Sequence, residues 1–437
     1  IRAAQTKLAI GLRRINLVLI WCPLNHGRIR MKQMTSMEKA HAQTEHIFRD
    51  LFPAHGLTVR PAQIELCHEM LDAMFSDRIA LCDAGVGIGK THAYLVAGLL
   101  WQKHRPGGAP FTLTISTSSV ALQNAIVKEY IPFLSRLLVD DGILDKPIRS
   151  IIRKGRERYA CDLRLAMRQA AVMGSERISD ERRAALSDLD RNIDLDEASG
   201  LSAFDRAQVC VPSLCSTHCP IYHGCRYQQY LAMAKRGEFN VQICNHNYLL
   251  ADAMCRQKKN RPLLKDYHVL IVDEAHKLAE AAQQMYGDAL ALSEILDLCT
   301  SLEKEHCGMI GRRLRASAFA LAEAFKEGQA VPEQESDQQP YLWTQSREKT
   351  IMATAALLRK AARTVKVYSQ GTAYRLERTA DTLSLFSGEH SDRIRYIHSG
   401  RDGEITLCAI HRDTAVRLAR DLWRAGKPAI LTSGTLV

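Results

Sequence analysis

The sequence predicts an α/β domain with a mainly parallel sheet, on three observations. The apolar run "RIALCDA" at 78–84 leads into a glycine-rich turn and then a helical pattern at 91–104. A Thr- and Ile-rich run at 111–119 precedes a second helical pattern, and "VLIVD" at 269–273 is typical of a buried strand. Strands that alternate with helices in this way favour parallel pairing.

Two long stretches interrupt this alternation. Residues 151–240 are charged and carry a cysteine cluster, and residues 277–395 read as mostly helical. Strand–helix–strand character resumes at 404–437. We therefore predict one α/β domain that is interrupted twice.

The composition is that of an ordinary soluble protein, with 46% hydrophobic and 24% charged residues among 437. The net charge of +11 favours a polyanionic partner only weakly, because seven of the 59 basic residues lie in 1–33, which has no acidic residue. The remaining 52 basic and 48 acidic residues nearly balance. The N-terminal stretch is too short and too broken by Arg13 and Arg14 for a membrane span. We expect it to be translated upstream sequence, with a true start at Met31, Met34 or Met37; an amphipathic anchor is the alternative.

Thirteen cysteines are many for a chain without a convincing secretory signal. Disulfide frameworks are typical of small secreted domains, so clustered thiols here point to metal or cofactor ligands. Scattered cysteines stand among apolar residues and are predicted to be small core residues: Cys67, Cys82, Cys244, Cys255, Cys299 and Cys408.

The stretch "DAGVGIGKT", Asp83–Thr91, predicts a phosphate-binding loop, although Ala84 stands where the usual pattern has its first glycine. Gly85, Gly87 and Gly89 let successive backbone N–H groups turn toward an anion, and the following helix directs its N-terminus at the same phosphate. We expect Lys90 to neutralise the β and γ oxygens of ATP and Thr91 to hold Mg²⁺.

The stretch "VLIVDEAH", Val269–His276, places acidic residues at the carboxyl end of a buried strand, where open α/β sheets bind ligands. We expect Asp273 to hold Mg²⁺ through water and Glu274 to polarise the attacking water. Lys90 and Asp273 are 183 residues apart, so the cysteine-bearing segment is interpreted as an insertion.

Four cysteines fall within Cys210–Cys225. Four thiolates suit a [4Fe–4S] cube or a tetrahedral Zn²⁺, and His218 and His223 keep zinc open. A third alternative is that the cluster has been lost and the cysteines only pack.

Together these motifs resemble the superfamily 2 iron–sulfur DNA helicases of the DinG and XPD type. Further matching stretches are "RPAQ" (Arg60–Gln63), "STSSVALQ" (Ser116–Gln123), "KGRERYAC" (Lys154–Cys161), "NHNYLLAD" (Asn245–Asp252) and "ILTSGTL" (Ile430–Leu436). The resemblance is specific over about 58–276 and 405–436. It implies RecA-like motor domains, ATP and Mg²⁺ as cofactors, and unwinding of duplex DNA in the 5′ to 3′ direction.

The resemblance also implies roles for individual residues. Arg60 and Gln63 would contact the nucleotide, and His276 would act with Asp273 and Glu274. Cys161, Cys215, Cys219 and Cys225 would hold the cluster, with Cys210 as a substitute for Cys215. Thr117, Gln123 and Arg156 would contact DNA, and Thr432, Ser433 and Thr435 would couple ATP state to DNA grip.

Arg153, Lys154 and Arg158 would extend the DNA track beside Arg156, unless they form a solvated helix face. Tyr159, Tyr222 and Tyr227 could stack on bases but are better predicted as core residues.

The predicted regions follow from motifs and resemblance together. They are a non-native or disordered extension at 1–36, RecA-like motor domain 1 at 37–150, a Cys-rich iron–sulfur-type insertion at 151–240, the DEAH strand at 241–280, a helical arch-type insertion at 281–400, and the end of the motor domain at 401–437. The family's second motor domain would follow, so we expect this chain to be a fragment that binds ATP weakly and unwinds poorly.

The predicted function is a cytoplasmic ATP-dependent DNA helicase that acts on single-stranded and forked DNA, with no membrane partner. A nucleic-acid-stimulated ATPase that does not unwind is one alternative. The other is a DinG-like helicase of a CRISPR system or mobile element with a vestigial cluster, whose partners the sequence does not identify.

Overall fold

The computed structural model describes residues 17–20, 30–105, 107, 112–173, 179–212, 215, 217–236, 239–305, 307–326, 338–388, 390–399, 404–423 and 427–434. The chain divides into two compact units. Unit 1 comprises 1–279 and 420–437, and unit 2 comprises 280–419.

The strands are β1 (Leu17–Ile20), β2 (Ile79–Asp83), β3 (Leu113–Thr117), β4 (Ser150–Arg153), β5 (Val241–Asn245), β6 (Val269–Asp273), β7 (Asp288–Ala291), β8 (Gln338–Pro340), β9 (Arg393–Ser399), β10 (Ile405–His411) and β11 (Ala429–Ser433).

The helices are α1 (Arg30–His46), α2 (Phe52–Ala54), α3 (Pro61–Phe75), α4 (Lys90–His104), α5 (Val120–Ala125), α6 (Ile131–Asp140), α7 (Asp162–Met173), α8 (Asp180–Asp188), α9 (Ala203–Val209), α10 (Arg226–Lys235), α11 (His246–Gln257), α12 (His276–Tyr286), α13 (Leu292–Lys304), α14 (Gly308–Lys326), α15 (Gln345–Val365), α16 (Gln370–Ser384) and α17 (Thr414–Leu422).

The sheet of unit 1 has the order β1-β2-β11-β6-β3-β5-β4. The six strands from β2 to β4 run parallel, which confirms the predicted α/β class. The central strands β3, β6 and β11 are buried along their whole length. Parallel strands covered on both faces by helices read as continuous apolar runs, and this is why the sequence predicted them well.

The strand β1 joins the edge of this sheet antiparallel to β2, with Leu17 opposite Cys82 and Ile20 opposite Ile79. Helix α1 likewise begins at Arg30, inside the stretch at 1–36 that is predicted to be a non-native or disordered extension. The sheet of this structure therefore includes residues upstream of each of the three candidate start methionines.

Helices α3 and α4 form much of the core of unit 1. Residues 93–101 of α4 are buried in succession, and Leu66, Met70 and Met74 of α3 lie in the same apolar cluster. A helix that is buried on all sides needs no polar face, and the sequence of α4 from Ala93 to Trp101 has no charged residue.

The Cys-rich segment lies between β4 and β5 and has two small apolar cores of its own. One contains Leu165, Leu186, Leu195 and Val209, with Cys210 packed against it. The other contains Tyr159, Val211, Cys225 and Tyr227, with Cys161 packed against it.

Unit 2 combines helices α13–α16 with a four-stranded sheet of order β7-β10-β9-β8. The insertion at 281–400 was predicted to be helical, and its sheet adds to α13–α16. The segment 401–437 was predicted to return wholly to the motor domain. Instead β10 pairs antiparallel with β9 and β7, because β9 precedes it in the chain and offers a hairpin partner, and the unit 2 segment ends at Ala419.

Candidate nucleotide site

Three adjacent parallel strands end side by side and build the site. In register, Cys82 of β2 lies opposite Thr432 of β11, and Thr432 lies opposite Asp273 of β6. The phosphate loop leaves β2, the DEAH residues leave β6, and the stretch "TSG" leaves β11 between them. Parallel pairing therefore collects at one edge three motifs that are far apart in sequence.

The phosphate loop turns at two glycines with left-handed backbone. Gly87 has φ +86° and Gly89 has φ +92°, values that L residues with a Cβ rarely adopt. Gly89 is also close to Gln63, because a Cβ at this position would lie 2.1 Å from Gln63 Nε2. Helix α4 begins directly after it, at Lys90. The loop thus presents its backbone and a helix N-terminus at one point, which is how phosphate is bound.

Helix α3 holds this loop from the outside. Arg60, which precedes the helix, donates from Nη1 to the carbonyl of Gly87 at 2.6 Å. Gln63 in the first turn donates from Nε2 to the carbonyl of Gly89 at 2.7 Å. The residues predicted to contact nucleotide therefore contact the phosphate loop itself.

The DEAH residues face the start of α4. Lys90 Nζ lies 3.1 Å from Glu274 Oε1. Asp273 is 2% exposed, and its oxygens accept from the backbone N–H of Glu274 at 3.0 Å and from the Tyr94 hydroxyl at 3.4 Å. Burial raises the pKa of Asp273 to about 6, and the nearby charge of Lys90 opposes that rise.

Thr91 is the second residue of α4, and its side chain also reaches the Tyr94 hydroxyl. Thr91 and Asp273 therefore converge on one hydroxyl. A threonine hydroxyl and a carboxylate are the hard oxygen donors that Mg²⁺ prefers, so this pair fits the expected ion.

The motif on β11 is hydrogen-bonded to both neighbouring motifs. His276 Nδ1 lies 2.7 Å from Ser433 Oγ, and the N–H of Ala275 donates to the carbonyl of Thr432 at 3.0 Å. On the other side, the N–H of Ala84 donates to the carbonyl of Ser433 at 2.8 Å. Thr432 is fully buried, and Thr435 lies outside the described residues.

Two of the residues predicted to contact DNA are buried in this structure. Thr117 is 0% exposed and Gln123 is 2% exposed, because Thr117 ends the central strand β3 and Gln123 lies on the inner face of α5. The exposed residues of this stretch are Val120 and Ala121, at the start of α5. Arg156 is exposed, as a DNA contact requires.

Two of the basic residues beside Arg156 are buried, which contradicts their predicted place in a phosphate-binding track. Arg153 is 2% exposed and donates to the carbonyl of Leu263 at 2.8 Å. Lys154 is buried, with Nζ 2.7 Å from Asp194 Oδ2. Both are internal ion-pair or hydrogen-bonding residues, because β4 runs at the junction of the sheet and the Cys-rich segment. The charged residues in this part of the sequence gave no indication that Arg153 and Lys154 are buried.

The burial of the tyrosines and of the scattered cysteines tests their predicted place in the core. Tyr159 and Tyr227 are buried, as predicted, and Tyr222 is half-buried. Cys67, Cys82, Cys244 and Cys299 are fully buried core residues, whereas Cys255 and Cys408 are half-buried. Burial raises the pKa of the Cys67 and Cys244 thiols to about 12, which leaves them inert.

The Cys215 thiol lies within electrostatic reach of the other three thiols predicted to hold a cluster. Partial burial raises the pKa of Cys215, a hydrogen bond from Gln228 lowers it, and the charges of Cys225, Cys161 and Cys219 raise it. Asp162, next to Cys161, accepts from the backbone N–H and the guanidinium of Arg226, next to Cys225, at 2.8 Å each. Among the described residues, no group of three or more His, Cys, Asp or Glu side chains is arranged so that it could hold a metal ion.

Cys210 stands apart from these four. Its thiol donates to the carbonyl of Ala207 at 3.4 Å, and it packs against the core that excludes Cys161 and Cys225. Its backbone forms an isolated bridge with Ala160. These contacts favour Cys215 over Cys210 as the fourth thiol.

Sequence reasoning missed Tyr94 and His246. Tyr94 is fully buried and donates to Asp273, and a helical spacing of three residues from Thr91 was the available signal. His246 is 3% exposed, with Nδ1 2.8 Å from Ser116 Oγ, so it links β5 to β3 beside the DEAH strand. No pattern in the sequence indicated that contact.

In the described part of the chain, none of the helices has the length and apolar character needed to span a membrane.

No family model matches the chain. The sequence is similar to the ATP-dependent DNA helicase YoaA of Escherichia coli, with 28% identity over 257 residues that cover 56% of this chain and 37% of YoaA. It is similar to the ATP-dependent DNA helicase DinG of Photobacterium profundum, with 26% identity over 271 residues that cover 57% of this chain and 36% of DinG. The chain thus spans little more than a third of these relatives.

Among solved structures, Xpd4 of S. tokodaii aligns over 86% of this chain and 57% of its own, with a TM-score of 0.46 and 13% identity. The sequence relatives confirm the predicted resemblance to superfamily 2 DNA helicases of the DinG type.

Proposed function

We propose that this chain carries the nucleotide-binding motor domain of an ATP-dependent DNA helicase of the DinG type, which acts in the cytoplasm on single-stranded and forked DNA. The observation that carries the proposal is the junction of three motifs at one sheet edge. Lys90 faces Glu274 at 3.1 Å, and Ser433 contacts His276 while its carbonyl accepts from Ala84. The 5′ to 3′ direction comes from the resemblance alone.

In the proposed mechanism the loop amides and Lys90 bind the ATP phosphates. Asp273 and Thr91 would hold Mg²⁺, which supplies charge to offset that developing on the phosphoryl oxygens. Glu274 polarises the attacking water, and its carboxylate is available once a phosphate competes for Lys90. A movement of Glu274 would then reach β11 through His276, because His276 shares a hydrogen bond of 2.7 Å with Ser433 at the end of that strand.

The proposed [4Fe–4S] cluster would be held by Cys161, Cys215, Cys219 and Cys225. When bound, such a cluster cross-links a segment whose two apolar cores are small. The chain supports that role through Asp162 and Arg226, which clamp the backbone next to two of the four thiols. Exposed Arg156 would contact phosphate at the edge of this segment.

Nucleotide binding and DNA-dependent hydrolysis test the proposal. We expect a fluorescent ATP analogue to bind the chain and Lys90→Ala to abolish binding, whereas Lys128→Ala, which removes an exposed lysine paired with Glu197, leaves it unchanged. Single-stranded DNA should stimulate hydrolysis by this chain. In a longer protein that also contains the second motor domain, a 5′-tailed duplex should be unwound in preference to a 3′-tailed one.

A failure to bind the analogue would overturn the proposal. Stimulated hydrolysis without strand displacement by that longer protein would favour the ATPase that does not unwind.

A further inference from the structure

Two histidines on neighbouring helices of unit 1 face each other outside the nucleotide site. His41 lies on α1 and His68 on α3, and their Nδ1 atoms are 2.5 Å apart. The ring centroids are 4.7 Å apart and the planes are inclined by 38°. Both side chains are 25% exposed, so water reaches the pair.

The far nitrogen of each ring contacts a carboxylate. His41 Nε2 lies 2.9 Å from Asp72 Oδ1, and His68 Nε2 lies 2.9 Å from Glu45 Oε1. An ionised carboxylate only accepts, so both Nε2 atoms carry a hydrogen and donate. In two neutral rings each Nδ1 atom then carries a lone pair, and the two lone pairs point at each other. Such a contact repels unless a proton or a metal cation lies between the nitrogens.

The carboxylates of Asp72 and Glu45 contact the histidine pair, and Glu69 lies within electrostatic reach of Asp72. Burial raises the pKa of Glu69, and the charges of Glu65 and Asp72 raise it further. Oε2 of Glu69 is buried and has no hydrogen-bond partner in the described part of the chain. Arg49 offsets part of this charge, since it hydrogen-bonds Glu45 and lowers the pKa of that carboxyl. A divalent cation suits this environment.

We propose that His41 and His68 form a binding site for a divalent transition-metal cation of the zinc class, through their Nδ1 atoms. Imidazole nitrogens suit such cations, and a carboxylate on the opposite ring nitrogen is the usual support of a metal-bound histidine. Tetrahedral coordination at about 2.0–2.1 Å separates two ligand nitrogens by about 3.3 Å, so the rings move apart by under about 1 Å on binding. Water completes the coordination.

The site would join α1 to α3. Helix α3 begins with the residues that hold the phosphate loop, because Gln63 contacts the carbonyl of Gly89. A metal at His68 would therefore fix the same helix about one and a half turns further on. The proposal is independent of the helicase assignment, since it uses none of the residues of the nucleotide site.

Zinc bound per chain after equilibrium dialysis tests the site. The wild-type protein is compared with the double variant His41→Gln/His68→Gln, and the cysteines are retained in both, so thiol-bound zinc cancels in the difference. We expect the double variant to bind about one zinc fewer per chain, as the loss of one site requires. His46→Gln is the matched control, because His46 is also on α1 and contacts carboxylates of Asp50 and Asp141.

A second variant tests the site even if the double variant does not fold. Asp72→Asn keeps both imidazoles and weakens only their support, so zinc affinity should fall about 10- to 100-fold. Equal zinc in wild type and double variant, or unchanged affinity in Asp72→Asn, overturns the proposal. Equal zinc is also the result expected if a shared proton, and not a metal, lies between the rings.

Discussion

Lys90 and Glu274 form an ion pair between the start of α4 and the DEAH motif, with Nζ 3.1 Å from Oε1. The two side chains are 13% and 32% exposed, so the pair is only partly screened by water. A bound phosphate competes for the same ammonium group. The residue that binds phosphate therefore also restrains the residue proposed to activate water, and ATP binding would release that restraint.

The substitution Glu274→Gln tests the two proposed roles of Glu274, which are to polarise the attacking water and to pair with Lys90. The amide keeps the shape of the side chain but neither polarises water as a base nor pairs with Lys90 as a charge. We expect ATP hydrolysis to fall about 10²- to 10⁴-fold. ATP affinity should stay the same or tighten by up to about fivefold, because Lys90 loses a competing partner. DNA-stimulated hydrolysis and analogue binding are the two measurements.

Glu280→Gln is the control for this prediction, since Glu280 is exposed on the helix that follows the DEAH motif. Hydrolysis by Glu274→Gln at the wild-type rate would remove Glu274 from the proposed chemistry.

The phosphate loop offers a matched pair of glycine substitutions. Gly87 and Gly89 both have left-handed backbone, so alanine strains either position by about 1–2 kcal/mol. A Cβ at Gly87 meets nothing within 4 Å, whereas one at Gly89 lies 2.1 Å from Gln63 Nε2. We expect Gly89→Ala to displace Gln63 and to weaken binding of the ATP analogue more than Gly87→Ala does. Equal weakening would show that backbone strain alone accounts for the loss.

Sequence patterns predicted what depends on continuous runs and missed what depends on contacts between distant elements. The buried strands β3 and β6 and the loop before Lys90 are local patterns, so they were predicted in place. The burial of Gln123 and Arg153 depends on which face of an element packs inward, and charge or motif membership does not encode that. The strand β10 belongs to unit 2 because it pairs with β9. Its sequence alone would suit a strand of the motor sheet equally well.

The choice between Cys215 and Cys210 is tested by two serine variants of anaerobically purified protein. Cys215 lies near the thiols of Cys161, Cys219 and Cys225, whereas the Cys210 thiol donates to a backbone carbonyl. We expect Cys215→Ser to lose most of its iron and sulfide and Cys210→Ser to retain the wild-type amounts. The reverse pattern would make Cys210 the ligand, and zinc without iron in the wild type would replace the iron–sulfur assignment by a zinc site.

The half-buried histidine His92 links stability to pH. Its ring packs edge-on against Phe52 and Tyr130, with centroids 5.1 Å and 4.8 Å away. Burial lowers the pKa of His92 to about 4, and the charge of Arg60 lowers it further. The ordinary value is about 6.5, so the unfolded chain binds a proton at mildly acidic pH that the folded chain does not. The contribution of the neutral ring is complete above about pH 6.5 and is lost as the pH falls toward 4.

His92→Phe should remove that dependence, because phenylalanine packs in the same aromatic cluster and does not titrate. We expect the urea midpoint of unfolding to fall less between pH 7.5 and pH 5.5 in His92→Phe than in the wild type. His55→Gln, which changes an exposed histidine near the same cluster, should show the wild-type loss. An equal loss in wild type and His92→Phe would mean that the acid sensitivity comes from another group, and His246, whose pKa burial lowers to about 4, is then the next residue to substitute.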